Sequence, residues 1–326
     1  MNLLGIYHGD IPSFILDIAA TEPVGRLRKV GMNCGCEYCR TLRSRHVGFY
    51  SRYEHSIGAA LIVWHFTGDV RQSVSALLHD VATPAFAHSI DFLHGDYMKQ
   101  ESTEATTLDT IKSCGNLTEK LARLGLEPED VSDYHLFPIA DNDTPRLSSD
   151  RLEYTVGNSV NYGFAGMDDM AGLYGNLISG INEEGDPEIV FRDLSCASEF
   201  ASLALSCSKV YVSDEDRYTM QMLAELLKAG IDAGTLAEQD LWGTEESVIG
   251  MLKADPASAA RWEEYCAIET VTTGIPGPCA RKINAKKRYI DPFVLGRGRV
   301  SDLDGDFRAR MDEYLGKSFD YWVSVP

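Results

Sequence analysis

Between residues 53 and 66 apolar side chains fall at helical spacing on every face: Ile57, Leu61 and Trp64 form one stripe, and Ala59, Ala60, Ile62 and Val63 fill the others. A segment that is apolar all round predicts a buried helix, and this one carries His55 near its start. The next segment sets Val70, Val74, Leu77, Leu78 and Val81 on a single stripe, and Pro84 predicts its end. The pair His79-Asp80 is then expected in the last turn. Further helices are expected from residue 104 past Ile111 and over 117–124, where Gly125 is placed to follow as a left-handed residue. Others follow Ser148-Ser149, carrying Asp150, and cover 213–229 and 256–268. Strand-like stretches are short: 188–192, 287–294 and 319–325. The pattern predicts a mainly α protein, a helical body with a small β appendage.

The chain has 326 residues, enough for one large domain. We expect the helical body to span residues 1–270 and residues 271–326 to pack on it as a basic strand and helix extension, the linker-like stretch 274–278 lying near the junction. No apolar run approaches the roughly 20 residues of a membrane helix, and the start, MNLLGIYHGDIPSF, lacks the pattern of an export signal. A cytoplasmic protein that does not engage membranes is the expectation.

A net charge of −19 repels nucleic acid and anionic lipid over most of the surface, so any phosphate site must be local. Two basic runs are candidates. The first carries Arg26, Arg28, Lys29, Arg40, Arg43, Arg45 and Arg52 against Glu37 alone; the second carries Arg281, Lys282, Lys286, Lys287 and Arg288. Each can equally be a solvated face. Cys34, Cys36 and Cys39 could give three thiolates to zinc, with His46 as a fourth ligand, but no second Cys-x-x-Cys completes a standard set. Scattered cysteines in such a chain are usually reduced core residues.

All eight histidines lie within the first 135 residues. His79 and Asp80 are neighbours at a helix end, so their side chains diverge by about 100° and reach one ion where the terminus opens to a pocket. His55 can add a second imidazole and Asp150 a second carboxylate. Such a set is mixed and fairly hard, suited to a divalent iron, manganese, nickel, zinc or magnesium ion with positions left for water. An ion of this kind polarises a phosphoryl oxygen and acidifies bound water, which phosphoester hydrolysis requires.

Three segments carry a resemblance: Ser51-Arg52-Tyr53-Glu54-His55-Ser56-Ile57-Gly58, then Leu77-Leu78-His79-Asp80-Val81-Ala82-Thr83-Pro84-Ala85-Phe86-Ala87-His88-Ser89-Ile90-Asp91, then Ser149-Asp150-Arg151-Leu152-Glu153-Tyr154. In this order and spacing, within core motifs spanning residues 27–162, the chain resembles the HD-domain metal-dependent phosphohydrolases, and most closely their deoxynucleoside triphosphate triphosphohydrolase branch. The resemblance implies an HD-type helical bundle with His55, His79, Asp80 and Asp150 as metal ligands. It implies His88 and Asp91 beside the reacting phosphate, where they manage protons. Arg52 matches an arginine that grips phosphate; Arg151 and Tyr154 match positions that touch phosphates and sugar. A nucleotide-like phosphorylated small molecule is the implied partner. The branch forms homo-oligomers, although no coiled-coil heptad marks an interface here.

The chain also departs from that branch. Thr83 stands where several triphosphohydrolases have a histidine, Gln100-Glu101 replaces a catalytic His-Glu, and Asn158 occupies a usually acidic position that reads the sugar. Glu101 and Glu104 are then candidate bases or ligands to a second ion, or simply acidic residues at a helix start. The leading expectation is a metal-dependent phosphohydrolase acting on a nucleotide or related phosphoester or phosphoanhydride. The alternatives are a catalytically altered nucleotide-binding regulatory module on the same scaffold, and a purely structural histidine cluster. No Gly-x-Ser-x-Gly or P-loop stretch competes.

Overall fold

The structure is a computed structural model and describes residues 3–43, 45–95, 98 and 106–326. Two central helices, α1 (Arg52–Thr67) and α2 (Val70–Leu78), pack against each other; α1 carries His55, and His79 follows α2. A capping box starts α1: Ser51 Oγ accepts from the Glu54 amide at 3.2 Å, while the Glu54 carboxylate accepts from the Ser51 amide at 3.1 Å. Gly68, with φ +63°, closes it. Asp69 caps α2 by accepting from the Gln72 amide at 3.1 Å. That helix stops at Leu78, so His79 is its cap and Asp80 lies in the following turn, just beyond the last helical turn that the stripe predicts.

The chain then bends through Phe86 (φ +63°) and Ala87 (φ +43°) into α3 (Ser89–His94). Two successive buried non-glycine residues in the left-handed region store strain, of order 1–3 kcal/mol each, and the bend returns His88 toward Asp80's side of the molecule. Next come α4 (Thr107–Ser113) and α5 (Gly115–Arg123), with Gly125 left-handed after it at φ +73°. Helix α6 (Ser149–Asn161) starts at Ser148, whose Oγ accepts from the Arg151 amide at 3.3 Å. The expected helices near 213 and 256 are α8 (Asp214–Asp232) and α10 (Pro256–Cys266).

Between α6 and α8 runs α7 (Leu194–Tyr211), for which the sequence pattern gives no clear stripe. Its buried positions are Ala197, Phe200, Ala201, Ala204, Leu205, Cys207 and Ser208, a helical spacing written mostly in small residues. Helices α9 (Glu245–Ala254) and α11 (Gly305–Gly316) complete the body.

Four strands form one small sheet in the order β1 (Leu177–Ile181), β2 (Pro187–Phe191), β4 (Phe293–Val294) and β5 (Gly298–Arg299). The β1–β2 pair is antiparallel, Leu177 opposite Phe191, and β2 meets β4 in parallel at Phe191 and Val294. Buried Arg299 clamps this sheet, donating to Glu188 at 2.6 and 2.8 Å and to Glu183 at 2.7 and 2.9 Å. A second pair joins β3 (Thr272–Gly274) to β6 (Trp322–Ser324).

The strand expected over 287–294 is confined to Phe293–Val294. Ahead of it the backbone is tied to side chains and loops instead of a ladder: the Ile283 carbonyl accepts from Arg217, the Arg288 carbonyl from Tyr314 Oη at 3.0 Å, and the Asp291 amide donates to the Pro145 carbonyl at 2.9 Å. The apolar interior forms two clusters. One gathers α1, α2, α6 and α7, and the other Cys34, Cys36, Cys39, Phe86, α8, α9 and α10. Residues beyond 271 join both, through Val294, Phe307 and Tyr314 on one side and Ile283 and Val323 on the other.

Candidate metal centre

Helix α1 presents His55 from its first turn, the end of α2 presents His79 and Asp80, and the first turn of α6 presents Asp150. His55 Nε2 stands 3.1 Å from His79 Nε2, 3.1 Å from Asp150 Oδ1 and 3.8 Å from Asp80 Oδ2. His79 Nε2 stands 3.5 Å from Asp80 Oδ2 and 3.6 Å from Asp150 Oδ1. Metal bonds of about 2.0–2.2 Å set neighbouring donors roughly 3–3.6 Å apart by simple geometry, which is close to the spacing among His55, His79 and Asp80, with Asp150 Oδ1 standing beside both imidazoles. Among the described residues, His55, His79 and Asp80 form the one tight group of three or more potential donors.

The outer partners fix the donors. His55 Nδ1 bonds Glu153 Oε2 at 2.6 Å, and His79 Nδ1 bonds the Ala76 carbonyl at 2.7 Å. A carboxylate and a carbonyl only accept, so both Nδ1 atoms carry protons and both Nε2 atoms are left to meet a cation. Burial disfavours charge on His55, but hydrogen bonds to Asp150 and Glu153 outweigh it and push the imidazole up to about 10. The two carboxylates thus favour positive charge at His55. Asp80 is buried, which opposes ionisation, yet Arg52 holds it well below the usual carboxylate range. Burial also opposes ionisation of Asp150, and His55 brings it down to about 2.

Asp80 is held from two sides. Arg52 Nη1 donates to both of its oxygens at 2.7 Å, and Thr83 Oγ1 donates to Oδ1 at 2.7 Å. Thr83, a departure from the branch pattern, therefore supports a candidate metal ligand, and Arg52 bonds the same carboxylate. The sequence reading missed Glu153. Fully buried, it accepts from His55, from Tyr50 Oη and from Tyr7 Oη at 3.1 Å. Its three-residue spacing from Asp150 on α6 was the available signal. Room for it comes from Gly58, where a Cβ would lie 2.6 Å from Glu153 Cγ.

The donors sit in the wall of a cavity of about 750 Å³. Arg52, His88, Asp91, Arg151, Tyr154 and Asn158 all line it. Glu101, like Gln100 and Glu104, lies outside the described residues. His88 Nδ1 pairs with Asp91 Oδ2 at 2.9 Å, leaving Nε2 as its remaining proton site. Burial lowers the His88 imidazole, Asp91 partly opposes this, and Arg288 and Arg52 lower it further. Arg151 Nη1 is engaged by Asn142 Oδ1 at 2.8 Å and Asp141 Oδ1 at 3.0 Å. Asn158 donates to Tyr211 Oη at 2.7 Å, while its Oδ1 is buried with no partner among the described residues.

More of the lining comes from α8 and from the second basic run, which the charge pattern marks as a candidate phosphate site. Asp216 and Arg217 of α8 and Lys286, Lys287 and Arg288 line the same cavity, with Tyr134, Tyr162 and Tyr211. Burial pushes the Asp216 carboxyl up to about 8, so it is largely protonated near neutrality. The second basic run thus reaches the site, whereas the first contributes only Arg52. Arg26 binds the carbonyls of Gly243, Val81 and Thr83, Arg28 lies over the Tyr53 ring, and Lys29, Arg40 and Arg45 pair with Glu246, Glu269 and Glu215.

The cysteine trio does not converge. Cys39 Sγ donates to the Tyr265 carbonyl at 3.1 Å and Cys36 Sγ meets Thr219 Oγ1 at 3.3 Å, while burial pushes the Cys34 thiol up to about 12. All three behave as protonated core residues, and His46, stacked on Tyr162, joins no metal-ligand group among the described residues.

No family model matches the chain. It is 27% identical over 266 residues, 76% of its length and 72% of the relative's, to a protein of Cordyceps militaris named metal-dependent phosphohydrolase cns2. It is 25% identical over 310 residues, 90% of its length and 89% of the relative's, to the uncharacterized protein YdhJ of Bacillus subtilis. Among solved structures, a phosphohydrolase of Bacteroides thetaiotaomicron superposes with TM-score 0.63 at 12% identity, over 97% of this chain and 96% of that one. A hypothetical protein of Aquifex aeolicus gives TM-score 0.62 at 17% identity, over 97% and 93%. The structural likenesses show a shared fold. Among the described residues no helix is long and apolar enough to cross a membrane.

Proposed function

We propose that this protein is a metal-dependent phosphohydrolase whose substrate is a nucleotide or a kindred phosphorylated small molecule. The observation that carries the reading is the meeting of His55 Nε2, His79 Nε2, Asp80 Oδ2 and Asp150 Oδ1 in the wall of a cavity lined by arginine and lysine side chains. The cavity volume of about 750 Å³ falls in the range usual for small-molecule sites.

These four residues would hold a divalent ion, which supplies Lewis-acid polarisation of a phosphoryl oxygen and an acidified water. The chain's own groups do the rest. Glu153 orients His55, Thr83 and Arg52 steady Asp80, and Asp141 aims Arg151. His88, held through Nδ1 by Asp91 and kept neutral by burial, can take or give a proton at Nε2. Tyr134, Tyr154, Tyr162 and Tyr211 offer flat surfaces suited to a base or sugar, which supports the nucleotide part of the reading.

The test joins elemental analysis to a phosphate-release screen over nucleoside mono-, di- and triphosphates and simple phosphomonoesters. Expected are about one bound ion per chain and turnover that His79→Ala and Asp80→Ala each reduce by roughly a thousandfold or more without loss of helix content. Metal-loaded protein that leaves the whole panel intact sinks the reading. Thermal stabilisation by a nucleotide without turnover would instead favour the regulatory module.

A further inference from the structure

Four arginines line the cavity, and three already bond acceptors of their own chain, although Arg52 Nε and Arg217 Nε are buried without partners among the described residues. Arg52 holds Asp80, Arg151 holds Asp141 and Asn142, and Arg217 holds Asp214 and the Ile283 carbonyl. Arg288 differs. Its guanidinium has no hydrogen-bond or ion-pair partner among the described residues, although it is half-buried and lines the cavity. It lines the same cavity as His88, Tyr154 and Asp216, and its charge reaches all three.

The backbone beneath it is fixed. Tyr314 Oη donates to the Arg288 carbonyl at 3.0 Å, Ile283 and Ile290 are buried on either side, and the Asp291 amide is tied to the Pro145 carbonyl at 2.9 Å. A cation on an anchored segment, partly withdrawn from water and lacking a protein acceptor, is stabilised by an anion that enters the cavity. A guanidinium fork matches two oxygens of one phosphoryl group.

We propose that Arg288 binds the phosphoryl group that a substrate presents beside His88, so that the segment ahead of β4 is part of the active site. The assignment deepens the phosphohydrolase reading and rests on it for the word substrate. The binding of phosphate itself does not depend on turnover.

Titration calorimetry of metal-loaded protein with inorganic phosphate tests it. Arg288→Gln should weaken phosphate binding by roughly ten- to a hundredfold, with metal content and thermal midpoint as in the parent. Arg288→Lys, which keeps the charge and loses the fork, should recover only part of the affinity. Lys282→Gln, on the same segment but paired outward with Asp320, should change nothing. Phosphate affinity in Arg288→Gln equal to the parent, with the same metal content, overturns the assignment, as does a parent that binds no phosphate. The two readings fail separately. A blank hydrolysis screen with Arg288-dependent phosphate binding removes only the hydrolase. Turnover whose KM and kcat ignore Arg288→Gln removes only this role.

Discussion

Two basic runs of similar composition, residues 26–52 and 281–288, end in opposite places. The first dissolves into the scaffold: Arg26 ties three carbonyls together, Arg28 covers Tyr53, and Lys29, Arg40 and Arg45 find carboxylates on the surface. The second reaches the lining of the cavity that holds the candidate metal donors, through Lys286, Lys287 and Arg288, although Lys287 also donates to the Leu315 carbonyl. Charge density does not separate them. What separates them is one residue: Arg281, Lys282 and Lys287 of the second run also meet acceptors of their own chain, whereas the Arg288 guanidinium lines the cavity with no such acceptor among the described residues.

The largest expected effect breaks or upholds the structural half of this contrast. Arg26→Ala strands the carbonyls of Gly243, Thr83 and Val81, reached at 2.8, 2.6 and 3.2 Å. Charged hydrogen bonds of this kind imply a loss of about 3 kcal/mol, read as a lower midpoint in urea, with phosphate affinity of the folded protein unchanged. If the midpoint does not move, the first run is not scaffold.

Next in size is the support of the metal side. Glu153→Gln keeps the shape but removes the charge that orients His55, and a roughly 10- to 100-fold weaker metal affinity is expected, measured by competition with a chelator. Affinity equal to the parent would show that α1 alone aims the ring.

A smaller effect joins Arg288 to His88. If neutral His88 is the working form, activity is lost as pH falls through its pKa, which burial first, then Arg288 and Arg52, lower against the opposing pull of Asp91. The acid limb of kcat/KM should therefore lie below the ordinary histidine value of about 6.5. Removing one positive neighbour eases protonation, so Arg288→Gln should move that limb upward. A limb that stays put in the variant separates Arg288 from His88. Smallest of all, Arg40→Ala breaks an exposed pair with Glu269 at 2.7 Å, and the urea midpoint should shift by less than about 0.5 kcal/mol equivalent.

The candidate metal side was legible as a cluster because its geometry is local. His55 follows a capping box, His79-Asp80 closes an apolar stripe, and Asp150 follows a serine cap, so each donor has a helix terminus to mark it. Glu153 was hidden by its neighbours, since a buried carboxylate beside Asp150 and Arg151 looks like one more polar residue on a helix. Helix α7 was hidden because alanine, serine and cysteine bury well yet leave no strong stripe. The second basic run was visible as charge, but nothing local said which of its residues would reach the cavity. Arg288 faces the cavity because Tyr314 and Arg217 tie down its segment, contacts that span 26 and 66 residues of sequence. Thr83 read as a lost histidine, and only the fold shows it donating to Asp80.

The notch at Gly58 fixes the order in which this centre can change by descent. Any side chain there would overlap Glu153, whose Cγ lies 2.6 Å from where a Cβ would stand. A lineage must give up the buried carboxylate before it can enlarge position 58, and must keep the notch open before it can regain the carboxylate. Two sites 95 residues apart, one of them without chemistry of its own, are therefore bound to drift together or not at all.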